Sequence, residues 1–189
     1  MNQLNCNMNT ARFLQDHEPM CSENVIWRGG QIELELTTYL TTNPPPVTLT
    51  TSGRCIVLSD SLVLVMHNPS GRHILPGGRR EPGESTQSAT VREIAEETGL
   101  AIGPPVQLGV MVFRHLSPKP TVYPYPYPVF VNVVYVTLVP ETGPITVNDT
   151  YELAGEFVST GDATLKRLPP HQRHLLTAAI RWSQGATTQ

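Results

Sequence analysis

Alternating apolar and polar residues near the start of the chain predict a β-hairpin. Residues 24–40 read NVIWRGGQIELELTTYL, and the two adjacent glycines suit the turn between two strands. In the second strand, Ile32, Leu34 and Leu36 alternate with polar or charged residues. Because successive side chains of a strand point to opposite faces, we expect this strand to have one buried face and one exposed face.

A proline run follows the hairpin and predicts a boundary. Residues 44–46 are consecutive prolines, which form a stiff extended connector that neither a helix nor a central strand accepts. We therefore divide the chain into residues 1–46, which hold a tail, the hairpin and the connector, and residues 47–189, which form the main domain.

Strongly apolar segments in the main domain predict a sheet covered by helices, and hence an α/β fold. Residues 129–139 are apolar at both alternating sets of positions, as expected for a strand that helices cover on both faces. The other predicted elements are a second hairpin over 54–67 with its turn at Asp60 and Ser61, strands over 106–115 and 156–160, and a helix over 169–183.

A further short helix is predicted within residues 78–100, GRREPGESTQSATVREIAEETGL. Ser85 or Thr86 can cap its start, and Gly99 suits the left-handed residue that commonly follows a helix end. On the opposite face from its glutamates, Ile94 is expected to pack against the sheet.

Three glutamates of this helix indicate a metal site. Glu93, Glu96 and Glu97 are spaced i, i+3 and i+4, so they lie on one helix face. Carboxylates this close repel one another, and lysines interspersed among them would stabilise a helix face that is only exposed to solvent. Clustered carboxylate oxygens suit a hard divalent cation such as Mg²⁺ or Mn²⁺. The alternative is a salt-bridged surface helix.

The same segment resembles the signature of a known family. The Nudix box is written G-x5-E-x7-R-E-U-x-E-E-x-G-U, where U is aliphatic, and this chain fills every fixed position. The residues that fill it are Gly78, Glu84, Arg92, Glu93, Ile94, Glu96, Glu97, Gly99 and Leu100. On this pattern, the chain is identified as a member of the Nudix hydrolase family.

The resemblance implies a fold, a reaction and a cofactor. The fold would be an α/β/α sandwich with a mixed sheet, here preceded by the N-terminal hairpin. The reaction would be hydrolysis of a diphosphate linkage, in which Mg²⁺ or Mn²⁺ screens the phosphate charge and acidifies the attacking water. The implied metal ligands are Glu93, Glu96, Glu97, the backbone carbonyl of Gly77 and, as an additional partner, Glu84.

The resemblance also implies two catalytic roles. Arg92 is expected to orient a box glutamate through a charge-assisted hydrogen bond. The general base differs among family members and is here either Glu93 or Glu152, which lies on a loop ahead of the strand at 156–160. That loop would carry Glu152 over the metal as substrate binds. The alternative for Glu152 is a solvated loop glutamate.

Five residues are candidates for contacts with substrate. Arg79 and Arg80 follow the glycine turn and can bind phosphates, or they are ordinary surface arginines. His115 ends a strand near the expected cleft, where it is either functional or solvated. Tyr125, in a repeated Tyr-Pro segment, can stack on a nucleobase or simply cover the core, and Trp27 has the same two interpretations.

Composition and charge indicate which classes of partner the protein binds and in which cellular compartment it is found. The net charge is −3 and no basic run is present, so nucleic acid is not an expected partner. The first residues lack the pattern of a signal peptide, and no apolar run is long enough to span a bilayer. The three cysteines are odd in number and lack metal-ligand spacing, and Cys55 is expected to be a buried thiol. These features predict a cytoplasmic protein.

The expected substrate is a small molecule, a nucleoside diphosphate linked to another group. The ADP-ribose subgroup carries a proline at a set distance beyond the box, where this chain has Leu116, with Pro118 close by. ADP-ribose or a nucleotide sugar is slightly favoured, and triphosphates and dinucleoside polyphosphates stay open. The alternative function is a nucleotide-binding sensor or regulator without turnover. Because several relatives of the ADP-ribose type dimerise through leading strands, we also expect a homodimer.

Overall fold

The computed structural model describes residues 13–15, 17–27, 31–140, 143–148 and 151–186. The strands are β1 (Cys21–Trp27), β2 (Ile32–Leu40), β3 (Thr50–Ser59), β4 (Leu62–Asn68), β5 (Gly71–His73), β6 (Val106–His115), β7 (Val129–Leu138) and β8 (Ala154–Ser159). The helices that bear on the site are α1 (Thr86–Thr98) and α2 (Pro170–Ala186), with a 3₁₀-helix at Ala163–Arg167 before α2.

The strands form one mixed sheet of eight strands. Their order is β1-β2-β6-β7-β3-β4-β5, and β8 pairs with β4 outside this path. β3 and β7 run parallel, whereas β6 and β7 run antiparallel. β7 is buried along nearly its whole length, as its apolar sequence predicts.

Helices cover both faces of the sheet. On one face, Ile56 of β3 belongs to a core cluster with Leu175 of α2. On the other face, the neighbouring Val57 belongs to a cluster with Ile94 of α1. Because adjacent strand residues point to opposite faces, the two helices lie on opposite sides of the sheet. The predicted α/β/α sandwich is therefore confirmed.

The N-terminal hairpin forms as predicted, and it docks on the core of its own chain. β1 and β2 pair antiparallel from Cys21 opposite Thr38 to Trp27 opposite Ile32. The two glycines predicted for its turn lie outside the described residues. β2 in turn pairs with β6, and its alternate residues are buried in the main core cluster. The boundary placed between residues 46 and 47 stays a prediction.

Four strands differ from the sequence prediction: β1 begins at Cys21 rather than at residue 24, β8 begins at Ala154 rather than at residue 156, and β3 and β5 differ more. β5 was not predicted, because residues 71–73 have no β-forming pattern of their own, and this strand forms through pairing with β4. β3 begins at Thr50 rather than at Arg54, because its parallel partner β7 extends the pairing. The predicted turn at Asp60 and the buried thiol of Cys55 are confirmed. In the described part of the chain, no helix is long and apolar enough to cross a membrane.

Candidate active site

The helix that carries the box glutamates begins and ends as its sequence predicts. The side chain of Ser85 accepts a hydrogen bond from the backbone N–H of Ser88 at 3.0 Å, which caps the first turn of α1. Gly99 follows the last turn with φ of 73°, in the left-handed region that favours glycine.

Two glycines allow this helix to approach β3 and the box loop. A Cβ atom at Gly53 would overlap Oγ1 of Thr90 and the carbonyl oxygen of Thr86. A Cβ atom at Gly78 would overlap the carboxylate of Glu93. Because Gly53 has no side chain, α1 packs directly against β3. Because Gly78 has none, the carboxylate of Glu93 reaches the loop that precedes the helix.

Glu97 is buried beside this loop. The backbone N–H of Gly77 donates a hydrogen bond to Oε2 of Glu97 at 2.7 Å, and the guanidinium of Arg54 donates to the carbonyl of Gly77. Burial raises the pKa of Glu97 to about 7, and repulsion from Glu152 and Glu93 acts in the same direction. The Gly77 hydrogen bond and the charge of Arg54 oppose this shift without cancelling it. Glu97 therefore carries a carboxylate that a nearby cation would stabilise.

Arg92 binds the other box glutamates. It donates to Glu84 at 3.1 Å and 3.2 Å, and to Glu93 and Glu96 at 3.0 Å each. The hydrogen bond from Arg92 is the main reason that the pKa of Glu84 is lowered. Glu96 has a side chain that is 59% exposed. Glu84 and Glu96, both predicted as metal ligands, thus contact Arg92 and do not line the cavity that Glu93 and Glu97 line.

Glu152 is buried, so the interpretation as a solvated loop residue is wrong. Only 6% of it is exposed. Nε2 of His73 lies 3.1 Å from each of its carboxylate oxygens, and Nδ2 of Asn68 donates to Oε1 at 3.4 Å. Since Nδ1 of His73 accepts a hydrogen bond from the backbone N–H of Leu75, the Nε2–H of His73 donates a hydrogen bond to the carboxylate of Glu152. These contacts hold the carboxylate of Glu152 beside His73 and Asn68.

Glu93, Glu97 and Glu152 line one cavity of about 560 Å³. Its lining includes two sets of residues with different character. The polar set, at the box end, includes the three glutamates with Ser52, Arg54, Asn68, His73, Gly77, Gly78 and Asn132. The apolar and aromatic set includes Val25, Trp27, Leu36, Leu75, Met111, Phe113 and Tyr125, and the rest of the lining is Ser70, Gly71, Arg72, Tyr151, Pro169, His171 and Gln172. A cavity with these two sets of residues can bind a molecule that is charged at one end and flat or apolar at the other.

The donor chemistry of the polar end fits a divalent cation. Three carboxylates share this end, and the pKa of Glu97 is raised first by burial and to a smaller extent by repulsion from Glu152 and Glu93. As the carboxylates stand, no three His, Cys, Asp or Glu side chains of the described residues are grouped closely enough to bind one ion. The guanidinium of Arg54 contacts the carbonyl of Gly77, which is a predicted metal ligand.

Of the candidates for contact with substrate, Tyr125 and Trp27 line the cavity, whereas Arg79, Arg80 and His115 do not. Arg79 donates to a backbone carbonyl of the Tyr-Pro segment at 2.5 Å, and its guanidinium lies 5.1 Å from the centre of the Tyr125 ring. Arg80 donates to backbone carbonyls next to the proline connector and so anchors that connector. His115 is buried, with Nε2 2.5 Å from the hydroxyl of Tyr123, and burial lowers its pKa.

The sequence analysis did not identify Arg54, His73 or Asn68. Arg54 is the only charged residue in β3, and an isolated charge in a buried strand was the available signal. His73 and Asn68 flank a loop of ordinary composition, and they reach Glu152 only because β5 and β8 both pair with β4. No local pattern marks these two residues.

Comparison with known proteins places the chain in a family. A family model described as the NUDIX domain matches residues 49–179. The chain is similar to the Bacillus subtilis protein named "Uncharacterized Nudix hydrolase YvcI", with 40% identity over 60 residues, covering 31% of this chain and 38% of that protein. It is also similar to a Bacillus subtilis protein provisionally named 8-oxo-dGTP diphosphatase, with 33% identity over 123 residues, covering 64% of this chain and 73% of that protein.

Solved structures share the fold at low sequence identity. The pyrophosphohydrolase BsRppH of Bacillus subtilis superposes with a TM-score of 0.56 at 16% identity, covering 86% of this chain and 97% of that chain. The NUDIX domain of Shewanella oneidensis NrtR, solved with ADP ribose, gives a TM-score of 0.52 at 17% identity, covering 72% of this chain and 89% of that chain. With the family model matched over more than half of its length, the chain belongs to the Nudix domain family.

Proposed function

We propose that this Nudix hydrolase cleaves the diphosphate linkage of a nucleoside diphosphate joined to another group, and that the reaction needs Mg²⁺ or Mn²⁺. The observation that carries the proposal is the meeting of Glu93, Glu97 and Glu152 in one cavity whose other end is apolar and aromatic. Such a cavity has donors for a metal–diphosphate centre and a separate surface for the rest of a nucleotide.

Glu93, Glu97 and the carbonyl of Gly77 would hold the cation. Bound there, a divalent ion screens the charge of the diphosphate, acidifies the attacking water and stabilises the leaving phosphate. Glu84 and Glu96 stay predicted ligands, and to act as such they would have to leave Arg92.

Residues of the chain itself orient the reacting groups. Arg92 fixes Glu93 by a hydrogen bond at 3.0 Å. Arg54 brings a positive charge to the polar end and can bind a phosphate oxygen once it leaves Gly77. His73 holds Glu152, which is the proposed general base that takes the proton from water, with Glu93 as the alternative base.

Among substrates, ADP-ribose or a nucleotide sugar stays slightly favoured. The NrtR domain was solved with ADP ribose, which supports this class, whereas the name of one relative, 8-oxo-dGTP diphosphatase, supports a triphosphate. A sensor without turnover is the alternative, but the complete box argues against it. The cytoplasmic location and the homodimer also remain proposals.

A substrate panel tests the proposal. ADP-ribose, UDP-glucose, ATP, 8-oxo-dGTP and diadenosine tetraphosphate would each be incubated with Mg²⁺, with Mn²⁺ or with EDTA, and the products separated by chromatography. We expect at least one compound to be cleaved at its diphosphate linkage with metal and none with EDTA. Tight binding without cleavage would support the sensor, and cleavage that is unaffected by EDTA would refute the metal dependence.

A further inference from the structure

His73 lies between the proposed general base and the loop that carries a predicted metal ligand. Its Nε2 is 3.1 Å from each carboxylate oxygen of Glu152, and its Nδ1 accepts a hydrogen bond from the backbone N–H of Leu75 at 3.4 Å. Leu75 is followed by Pro76 and by Gly77, whose carbonyl is the predicted ligand. One imidazole ring therefore contacts both parts of the candidate site.

Strand pairing fixes the two segments that meet at this ring. Met66 of β4 lies opposite His73 of β5 and also opposite Gly155 of β8, so β5 and β8 flank β4 on its two edges. The backbone N–H of Leu153, the residue after Glu152, donates to a main-chain carbonyl of β4 at 2.7 Å. Because both segments are bonded to the same strand, the sheet sets the distance between the imidazole and the carboxylate.

Asn68 supplies a second donor to the same carboxylate. The backbone N–H of Ser70 donates to Oδ1 of Asn68 at 2.9 Å, so the amide nitrogen is the atom that faces Glu152, and it donates to Oε1 at 3.4 Å. Oε1 thus meets two donors, and Oε2 meets Nε2 of His73. A carboxylate has about four lone-pair positions, so two donors leave room for a water molecule to donate to Oε2.

We propose that His73 is a positioning residue for the general base, which orients the carboxylate of Glu152 so that Oε2 faces the attacking water. This inference rests on the proposed function. One O–H bond of the water breaks and its proton goes to Oε2. The water oxygen forms the new bond to phosphorus, and the bond from phosphorus to the bridging oxygen breaks with its electron pair on the leaving phosphate. The proton on Nε2 stays on His73, which therefore acts only through Glu152.

A second histidine–glutamate pair on the same strand shows what is particular to His73. Nε2 of His67 lies 3.2 Å from Glu156, but these side chains are 34% and 55% exposed, and neither lines the cavity. The side chains of His73 and Glu152 are 14% and 4% exposed, and both line it. A hydrogen bond shielded from water is stronger and holds its geometry better, so the buried pair is the one suited to orient a reacting group.

Replacing the imidazole tests this role by kinetics. His73→Phe keeps a ring of similar size without a donor, and kcat on the best substrate of the panel is expected to fall about tenfold or more with KM little changed. His73→Gln restores an N–H near the position of Nε2 and is expected to recover most of the loss. His67→Phe makes the same change in the exposed pair and is expected to keep wild-type kcat. A His73→Phe protein that is folded by circular dichroism and keeps wild-type kcat would overturn the inference.

Two further measurements separate positioning of the base from an effect on the metal loop. If His73 acts through Glu152, the double variant His73→Phe/Glu152→Gln is expected to be no slower than Glu152→Gln alone. The affinity for Mn²⁺, measured by calorimetry without substrate, is expected to stay at the wild-type value in His73→Phe. Losses in kcat that multiply in the double variant, or a Mn²⁺ affinity that falls together with kcat, would contradict the positioning role.

The hydrogen bond itself is measured without any substrate. In ¹⁵N-labelled protein at pH 8, the NMR signals of His73 are those that His73→Phe lacks, and we expect the proton on Nε2. Glu152→Gln is expected to move this proton signal upfield, because a neutral amide oxygen is a weaker acceptor than a carboxylate. A proton on Nδ1, or an unchanged signal in Glu152→Gln, would overturn the inference. Failure of the proposed function would differ, since it would appear as no cleavage of the panel by wild-type protein.

Discussion

Glu97 is a buried carboxyl group of the candidate site, and burial disfavours its charged form. Burial raises its pKa from 4.5 to about 7, so the folded metal-free protein holds the proton more tightly than the unfolded chain does. The unfolding free energy is therefore expected to fall as the pH rises from about 4.5 to 7, by on the order of 1–3 kcal/mol from this group.

The variant Glu97→Gln lacks this titration. In EDTA, the melting temperature of the variant is compared with that of wild type at pH 5 and at pH 8. The gain of the variant over wild type is expected to be larger at pH 8. Thermal unfolding at the two pH values measures the difference, and Mg²⁺ at pH 8 is expected to stabilise wild type more than the variant. An equal difference at both pH values would contradict the account of Glu97.

Glu152, which is buried beside His73, is the proposed general base. Glu152→Gln, assayed at saturating substrate and Mg²⁺ from pH 6 to 10, is expected to lower kcat tenfold or more with little change in KM, and to alter the acidic limb of the pH profile. Glu156→Gln is the control, since Glu156 is 55% exposed and pairs with His67 and Arg72 at the rim. If Glu152→Gln keeps the wild-type kcat, the general base is Glu93 instead.

At the scale of elements, the contact of α1 with β3 depends on Gly53. Gly53→Ala is expected to reduce the unfolding free energy by about 1–3 kcal/mol, because the new methyl group overlaps Thr90 and Thr86 in the helix. Gly103→Ala is the matched control, since nothing lies within 4 Å of a Cβ atom there. Urea denaturation measures both, and equal stability of the two variants would contradict the close packing.

Elements whose stability is encoded locally could be predicted, and the others could not. The start of α1 at Ser85 and its end at Gly99 follow from capping chemistry, and β2 follows from its alternating pattern. β5 depends on pairing with β4, and the early start of β3 depends on pairing with β7. These pairings join segments that are distant in sequence, and no local pattern encodes them.

In the candidate site, too, contacts between residues that are distant in sequence could not be predicted. The carboxylates of Glu93 and Glu97 could be found because helical spacing and the box place them together. The contact of His73 with Glu152 joins residues 79 positions apart, and it exists only in the folded sheet. Arg54 could be recognised as an isolated charge in a buried strand, but its contact with the carbonyl of Gly77 could not.

At the scale of the whole molecule, β1 lies at the edge of the sheet, with β2 as its strand neighbour. An edge strand offers backbone groups to a second chain, and Ile26 on β1 is 66% exposed. We expect a homodimer through this edge, with twice the 20.8 kDa mass of one chain, and Ile26→Lys is expected to shift it toward the monomer. Light scattering at micromolar concentration measures the mass, and a wild-type monomer there would end the homodimer proposal.

The measurement that tests the account most directly is kcat of Glu97→Gln with Mg²⁺ on the best substrate of the panel. Glu97 is buried in the proposed metal site, so the variant is expected to lose a hundredfold or more, about 3 kcal/mol of transition-state stabilisation. Glu33→Gln makes the same substitution at an exposed position of β2 and is expected to keep wild-type kcat. A Glu97→Gln protein that is folded by circular dichroism and hydrolyses substrate at the wild-type rate would contradict the assignment of this cavity as the metal-dependent active site.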